Sequence, residues 1–415
     1  MLGILYYGRL EKEKGFDSII KAIQVLQNSE DFSQGQVEFF IFGKGSLEEE
    51  LLPLVGKKVH YFGWQPLEKI QQYLPNIDYC LMPSEFLETF GLSALNALSR
   101  GLPVLGYRKG GLEPFIFADC NLFTSKGTTT AERIVSALKK LCKLDETEKR
   151  EKKLNYQKQI SLLLENYSHE ARYQRFIELT KGKPQKVLLV SDFINKIGGI
   201  ETYLHDVQDL LRSQGHEVLL RGGSVPKGPL GTLRKLAGIL FSPANFWDAY
   251  RFEKLLKEYQ PDLIWFNSLL RNLGPGVVRK AKKYKDQQLS SGVNAKDPDI
   301  SSDTLDSSFH SEGPSLLMMY HDFGYFYPYP SQLNFVEDCK TPLTLKNFLW
   351  RKKPYSFLQK VVIRGKYLLM YPLVKVLKKQ IDLHLVPSEF MREIVSKSYK
   401  LSEKKVKAFN HFIQK

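Results

Sequence analysis

Short apolar runs, each followed by a stretch of helical periodicity, recur along both halves of this 415-residue chain. A run of four to six apolar residues without polar alternation suits a strand buried on both faces. A helix between successive strands returns the chain so that they lie parallel. The pattern predicts strands at Gly3–Tyr7, Val37–Phe42, Val59–Phe62, Tyr79–Met82 and Pro103–Gly106, with helices near Gly15–Leu26, Leu47–Leu54, Leu67–Tyr73, Leu92–Ser99 and Ala131–Leu141. In the second half it predicts strands at Val187–Ser191, Glu217–Arg221, Leu263–Asn267, Leu316–His321 and Leu383–Pro387. Helices are expected there near Gly199–Ser213, Asn245–Glu258, Leu345–Lys379 (broken at Pro354 or Pro372) and Phe390–Ser396. The fold class is therefore α/β, with two Rossmann-like, doubly wound parallel-sheet domains.

An internal echo supports two related units. Residues 77–86 are IDYCLMPSEF and residues 381–390 are IDLHLVPSEF, identical at seven of ten positions. Each is expected to be a buried strand ending in a Pro-Ser turn at a following helix. The domains are placed at 1–182 and 183–415, joined through Thr180–Gln185 (TKGKPQ). Residues 285–315, rich in Ser, Asp and Gly and nearly free of large apolar side chains, are expected to form a disordered surface insertion.

Composition narrows the function classes. With 43% hydrophobic and 25% charged residues the chain is of ordinary globular type. Met1–Tyr7 is too short an apolar run for a signal peptide, and Tyr367–Leu377 is too short and too interrupted for a spanning helix. Cys80, Cys120, Cys142 and Cys339 form no close pair, so reduced thiols in the cytosol are expected rather than a zinc site or disulfide framework. Of the net +15, residues 1–182 carry +1 and residues 183–415 carry +14. Residues 341–380 hold ten basic side chains and no acid, among them Arg351, Lys352, Lys353, Lys360, Arg364 and Lys366, interleaved with aromatic and aliphatic residues. Such a stretch suits an anionic membrane surface, or alternatively the solvated face of a core-packed helix. No nucleic-acid-binding motif accompanies it, and no nucleic-acid partner is expected.

The segment richest in chemistry is PSEFLETFGLSALN, residues 83–96. It follows a strand and opens a helix, so amides around Phe90, Gly91 and Leu92 can face an anionic group such as a diphosphate. Glu88 can accept hydrogen bonds from sugar hydroxyls, and Gly91 allows close approach. A helix cap beside a tight turn would account for the same residues taken alone. Neither half has a Gly-x-Gly-x-x-Gly turn after its first strand, which argues against a dinucleotide-dependent oxidoreductase.

Four segments of the first half, YYGRLEKEKGFDSIIKAI (6–23), FGKGSLEEEL (42–51), PSEFLETFGLSALNALSRGLPVLG (83–106) and RKGGLEPFI (108–116), together resemble the donor domain of family 4 glycosyltransferases of the GT-B fold. Three segments of the second half, KVLLVSDFINKIGGIETYLHDVQDLLRSQGHEV (186–218), MMYHDFGYFYPYP (318–330) and IDLHLVPSEFMREIV (381–395), resemble the acceptor domain of that family. The resemblance implies two domains facing a cleft, here in permuted order, with donor binding in 1–182 and acceptor binding in 183–415. It implies a hexosyltransferase that acts with retention of configuration on a nucleotide diphosphate sugar as co-substrate, with no cofactor; no metal is expected, since no Asp-x-Asp-type cluster sits at a plausible strand end. The acceptor implied is a lipid-linked or cell-surface glycan, at the cytoplasmic, inner face of the membrane, and a partner glycosyltransferase chain is a further expectation.

On matching positions, Arg9 and Lys14 correspond to the cations that hold the donor diphosphate, where charge develops as the nucleotide leaves. Glu88 and His321 correspond to groups at the transferred sugar. Gly8, Gly43, Phe90, Gly91, Leu92, Gly110 and Gly111 fall in the family's donor-binding segments, and Gly198, Gly199 and Glu201 in the glycine loop of its acceptor domain. Taken without the resemblance, Arg9 and Lys14 would suit surface solvation and His321 a satisfied core position. The pattern departs at Asn96, which stands where the family has a second, ribose-binding carboxylate, and in the order of the domains. These departures frame an alternative: a weak or inactive sugar-nucleotide-binding protein descended from two fused transferases.

Overall fold

The computed structural model describes residues 1–28, 36–182, 184–192, 194, 199–223, 246–270, 273–291, 313–325, 365, 368, 371 and 373–413. Among these, the chain divides into two compact units: residues 1–168 joined by 411–413, and residues 169–410.

In the first unit, strands β1 (Leu2–Tyr7), β2 (Val37–Phe42), β3 (Val59–Tyr61), β4 (Tyr79–Met82) and β5 (Val104–Gly106) form a parallel sheet in the order β3-β2-β1-β4-β5. Ile4, Leu5 and Tyr6 of β1 and Phe39, Phe40 and Ile41 of β2 are all buried, as expected of a sheet covered on both faces. Helix α1 (Phe16–Gln27) turns Phe16, Ile19, Ile20, Ile23 and Leu26 inward, the spacing of one apolar helical stripe. It packs on α3 (Thr130–Cys142), which follows the short α2 (Leu92–Leu98) and starts at a capping box between Thr129 and Glu132. Helix α4 (Glu146–Glu165) begins at a second capping box, Asp145 with Glu148, and buries only Tyr156 and Ile160. Its polar composition concealed it from periodicity, and it was not expected.

In the second unit, β6 (Lys186–Ser191), β7 (Glu217–Gly222), β8 (Leu263–Phe266), β9 (Ser315–Met319), β10 (Leu383–Val386) and β11 (Val406–Ala408) form a parallel sheet in the order β11-β10-β9-β8-β6-β7. Helices α5 (His169–Thr180), α6 (Gly199–Ser213), α7 (Phe246–Tyr259), α8 (Gly274–Ser291) and α9 (Glu389–Tyr399) accompany it. The domain boundary expected at 182/183 follows the polar linker, whereas packing divides the chain at 168/169. Helix α5 goes with the second unit because Phe176 stacks on Trp265 at 6.1 Å and the Tyr173 hydroxyl meets His216 Nε2 at 3.1 Å. His216 Nδ1 lies 2.6 Å from the Pro184 carbonyl, which fixes that ring at the start of the sheet.

The disordered insertion expected over 285–315 is corrected at both ends. Helix α8 continues to Ser291, and Ser315 opens β9. Lys285 is buried, and its ammonium meets Asp382 Oδ2 at 2.7 Å, a contact hidden in a sequence that looks uniformly polar. Residues 292–312 lie outside the described set. Of the helix expected over Leu345–Lys379, residues 365, 368, 371 and 373–379 are described and helical.

The two echo segments share a backbone device at one end and diverge at the other. Asp78 Oδ2 accepts the Gly3 amide at 2.9 Å, and Asp382 Oδ2 accepts the Leu316 amide at 2.8 Å, each tying the start of a strand to its neighbour. Asp262, before β8, does the same for Gln185 and Lys186, both at 2.8 Å. At the other end, Ser388 caps α9 by accepting the Met391 amide, as expected. Ser84 caps no helix: its hydroxyl donates to Glu88 Oε1 at 3.0 Å, and the next helix starts only at Leu92. The same PSEF tetrapeptide therefore has two local outcomes, set by the Gly91 turn that follows in the first unit.

Candidate functional site

Both sheets reverse their strand order beside their first strand, β1 between β2 and β4, and β6 between β7 and β8. Open α/β sheets bind ligands outside the carboxyl ends of the strands at such a switch point. Some of the side chains singled out by sequence, Lys14 and Glu88 in the first unit and His321 in the second, follow strands at these ends.

In the first unit, Lys14 follows β1 and Glu88 follows β4. The Lys14 ammonium lies 2.7 Å from Glu88 Oε1 and 4.5 Å from the centre of the Phe86 ring. Glu88 is held from three sides: Lys14 and Ser84 donate to one carboxylate oxygen, and the Gly111 amide donates to its carbonyl at 2.8 Å. The turn carrying Lys14 is pressed against the β4 loop. Gly15 has φ +73°, and a Cβ there would stand 2.2 Å from the Pro83 carbonyl oxygen. Ser18 donates to Glu85 at 3.1 Å, and Lys109 donates to the Glu85 carbonyl at 2.6 Å. Burial pushes the Lys109 ammonium below its ordinary pKa, against the opposing pull of Glu85 and Glu88.

The remaining residues are distributed around this centre. Arg9 is exposed, and its guanidinium pairs with Glu13 at 3.1 Å, so the two expected cations sit on different carboxylates. Gly8 and Gly43 are in close backbone approach, since a Cβ on Gly43 would lie 1.8 Å from the Gly8 carbonyl oxygen. Gly91 has φ +100° and caps α2, whose first residue, Leu92, is half-buried. Gly110 opens a short 3-10 helix, Gly110–Phe115, and Gly111 packs so closely that a Cβ there would lie 2.4 Å from the Phe90 amide nitrogen. The Phe90 ring faces the core against Phe115 and Tyr167 and meets His411 at 4.8 Å. Asn96 lies on α2, 5% exposed, and its Oδ1 is buried without a hydrogen-bond partner.

In the second unit, His321 follows β9. Its Nε2 lies 3.1 Å from Asn267 Oδ1, and its ring meets the edge of Tyr203 from α6 at 4.8 Å. Asp192, fully buried after β6, accepts the Ser268 hydroxyl at 3.0 Å and the Leu273 amide at 2.8 Å, which fixes the loop after β8. The Tyr325 hydroxyl accepts the Leu269 amide from the other side of that loop. Gly199 begins α6, and Glu201 is half-buried in its first turn. Gly198 lies outside the described residues, as do Arg351, Lys352, Lys353, Lys360, Arg364 and Lys366 of the basic stretch.

Sequence reasoning missed Ser84, Lys109, Asp192, Asn267, Ser268 and Tyr203. Ser84 was visible in the PSEF echo and Lys109 lies within RKGG. Asn267 and Ser268 are the polar pair that ends β8, a position that could have been singled out. Among the described residues, no group of three or more His, Cys, Asp or Glu is placed to hold a metal ion, and no helix is long and apolar enough to cross a membrane.

Residues 3–160 match the family model described as Glycosyl transferases group 1. An uncharacterized 41.2 kDa protein in the cps region of Klebsiella pneumoniae is 31% identical over 118 residues, covering 28% of this chain and 30% of that protein. An uncharacterized glycosyltransferase of Methanocaldococcus jannaschii is 28% identical over 123 residues, again 28% of this chain and 30% of that protein. The chain thus spans under a third of the length of these relatives. Among solved structures, Anabaena HepE in complex with UDP-glucose aligns with a TM-score of 0.34 at 18% identity, over 43% of this chain and 48% of that one.

Proposed function

We propose that this chain is a glycosyltransferase that takes a hexose from a nucleotide diphosphate sugar, with the donor bound by the first unit. The observation that carries the reading is the Lys14–Glu88 pair at the switch point of a sheet whose residues 3–160 match Glycosyl transferases group 1. A departing nucleoside diphosphate gains negative charge, and a preorganised ammonium beside a carboxylate can serve both reaction partners. Lys14, with Arg9, meets the diphosphate, while Glu88, fixed by Ser84 and Gly111, accepts sugar hydroxyls. The charge is met by these side chains and by loop amides around Gly91 and Gly110 rather than by a metal.

In this reading the second unit receives the acceptor, His321 orients the transferred sugar, the glycine loop with Glu201 closes over the diphosphate, and configuration is retained at the transferred carbon. The acceptor is a lipid-linked or cell-surface glycan, and the basic residues 351–366 bring the enzyme to an anionic membrane face. The donor unit precedes the acceptor unit, the reverse of the order in the family it resembles.

Asn96 favours a second reading, a sugar-nucleotide-binding protein without transferase activity. Its buried, unpartnered oxygen sits where a ribose-binding carboxylate would stand, and an amide there offers one acceptor in place of two.

Titration with UDP-, GDP- and ADP-sugars, following heat of binding and nucleoside diphosphate release together, separates the readings. Binding with release supports the transferase, binding without release in the presence of glycan acceptors supports the second reading, and absence of binding overturns both.

A further inference from the structure

The buried amide of Asn267 has a fixed orientation. Its Nδ2 donates to the Trp265 carbonyl at 3.3 Å, within the end of the same strand, so its Oδ1 is the atom that faces His321 Nε2 at 3.1 Å. An amide oxygen only accepts, and the contact is a hydrogen bond only if His321 carries its proton on Nε2. Asn267 is 1% exposed and His321 9% exposed, so water has little access to compete for either group.

The ring plane is fixed independently by the edge of Tyr203 at 4.8 Å and an interplanar angle of 68°. Nearby, Asp192 accepts Ser268 and Leu273, and Asp322 accepts the Gly324 amide at 2.7 Å. The oxygen of Asn267, facing Nε2, calls for the proton on that nitrogen.

We infer that Asn267 is a positioning residue that locks His321 in the Nε2–H tautomer and makes Nδ1 the acceptor nitrogen of the ring. A histidine locked in this way takes a hydrogen bond from a hydroxyl and holds the sugar without taking its proton away. That consequence rests on the proposed function, but the tautomer does not. Asn267 touches no substrate in this account and acts only through His321.

The test is nitrogen NMR of the histidine-labelled full chain at alkaline pH, with the His321 signals assigned by their loss in His321→Gln. Bare and protonated imidazole nitrogens resonate far apart, so the tautomer is directly visible. The expected result is a single Nε2–H form in the native protein, the same form in Asn267→Asp, whose carboxylate still accepts, and a mixture of tautomers in Asn267→Leu. An Nδ1–H form or a mixture in the native protein overturns the inference, as does an unchanged tautomer in Asn267→Leu. If Asn267→Leu fails to fold, the native and Asn267→Asp spectra decide alone. Where transferase activity is present, Asn267→Leu lowers kcat about tenfold or more while donor KM stays within twofold. An intact tautomer lock without any activity would leave this inference standing and remove the proposed function.

Discussion

Lys14 and Glu88 are 74 positions apart in the chain, yet the ammonium and carboxylate meet at 2.7 Å across the gap between β1 and β4. Neither is on a regular strand or an α-helix. Each sits on a turn pressed against the other, through Gly15 at Pro83 and through Ser18 at Glu85. The pair is thus a product of sheet topology, and its parts can be altered separately.

Lys14→Met is expected to lower nucleoside diphosphate release by about 100-fold or more, the scale for loss of one preorganised electrostatic contact at developing charge. Circular dichroism of the variant should match the native protein. Native turnover in Lys14→Met would remove Lys14 from the diphosphate.

Release is also expected to be unchanged by EDTA and not raised by added magnesium. A requirement for the divalent ion would show that Arg9 and Lys14 are insufficient for the leaving charge.

Gly15→Ala should destabilise the first unit by more than the ~1–2 kcal/mol of left-handed backbone strain, because its Cβ also meets the Pro83 carbonyl. Gly101→Ala supplies the control: φ there is +78°, but nothing lies within 4 Å of the added methyl. Urea denaturation should rank Gly15→Ala well below Gly101→Ala, and equal midpoints would contradict the close packing of the two loops.

Phe176→Ala removes a buried ring stacked on Trp265 and should cost about 3–5 kcal/mol. Hydrogen exchange should show the loss in β6 and β8, and sparing of β1 and β2. Uniform protection loss across both sheets would deny α5 to the second unit.

Asp119 accepts from the Tyr156 hydroxyl at 2.6 Å and pairs with Lys152. Burial pushes its carboxyl up, but these hydrogen bonds outweigh burial and hold it below the ordinary carboxylate value. A lowered folded-state pKa gives stability that is present above the unfolded value of about 3.9 and is lost as pH falls through the folded value. Asp119→Asn should therefore flatten the acid limb of stability below about pH 4, seen as a smaller drop in urea midpoint. An acid limb as steep as that of the native protein would show that Asp119 does not contribute.

Ten strands were legible because buried parallel strands are written as unbroken apolar runs, and Val37–Phe42 and Tyr79–Met82 have the expected ends. Strand β11 was missed since Val406–Ala408 is three residues with a lysine at its centre. Helix α4 was missed because it buries only Tyr156 and Ile160, too few to set a period; α8 was missed although Val277, Val278, Ala281 and Tyr284 form a buried stripe, because its charged residues and the polar run after it masked that stripe. Glu88 and Lys14 were singled out through the resemblance, but their contact was not foreseen, since no sequence pattern states which turns touch. Ser84 shows the limit most plainly: its twin Ser388 caps a helix, and only the residues downstream decide between capping and holding a carboxylate.

The three aspartates at the amino ends of strands, Asp78, Asp262 and Asp382, bond neighbouring backbone amides and so close one rim of each sheet upon itself. A rim closed in this way sets strand register without help from the opposite rim. The loops carrying Glu88, Asn267 and His321 can then exchange residues over evolutionary time while the sheet beneath them keeps its alignment, which makes this architecture a frame whose loop chemistry can be rewritten one loop at a time.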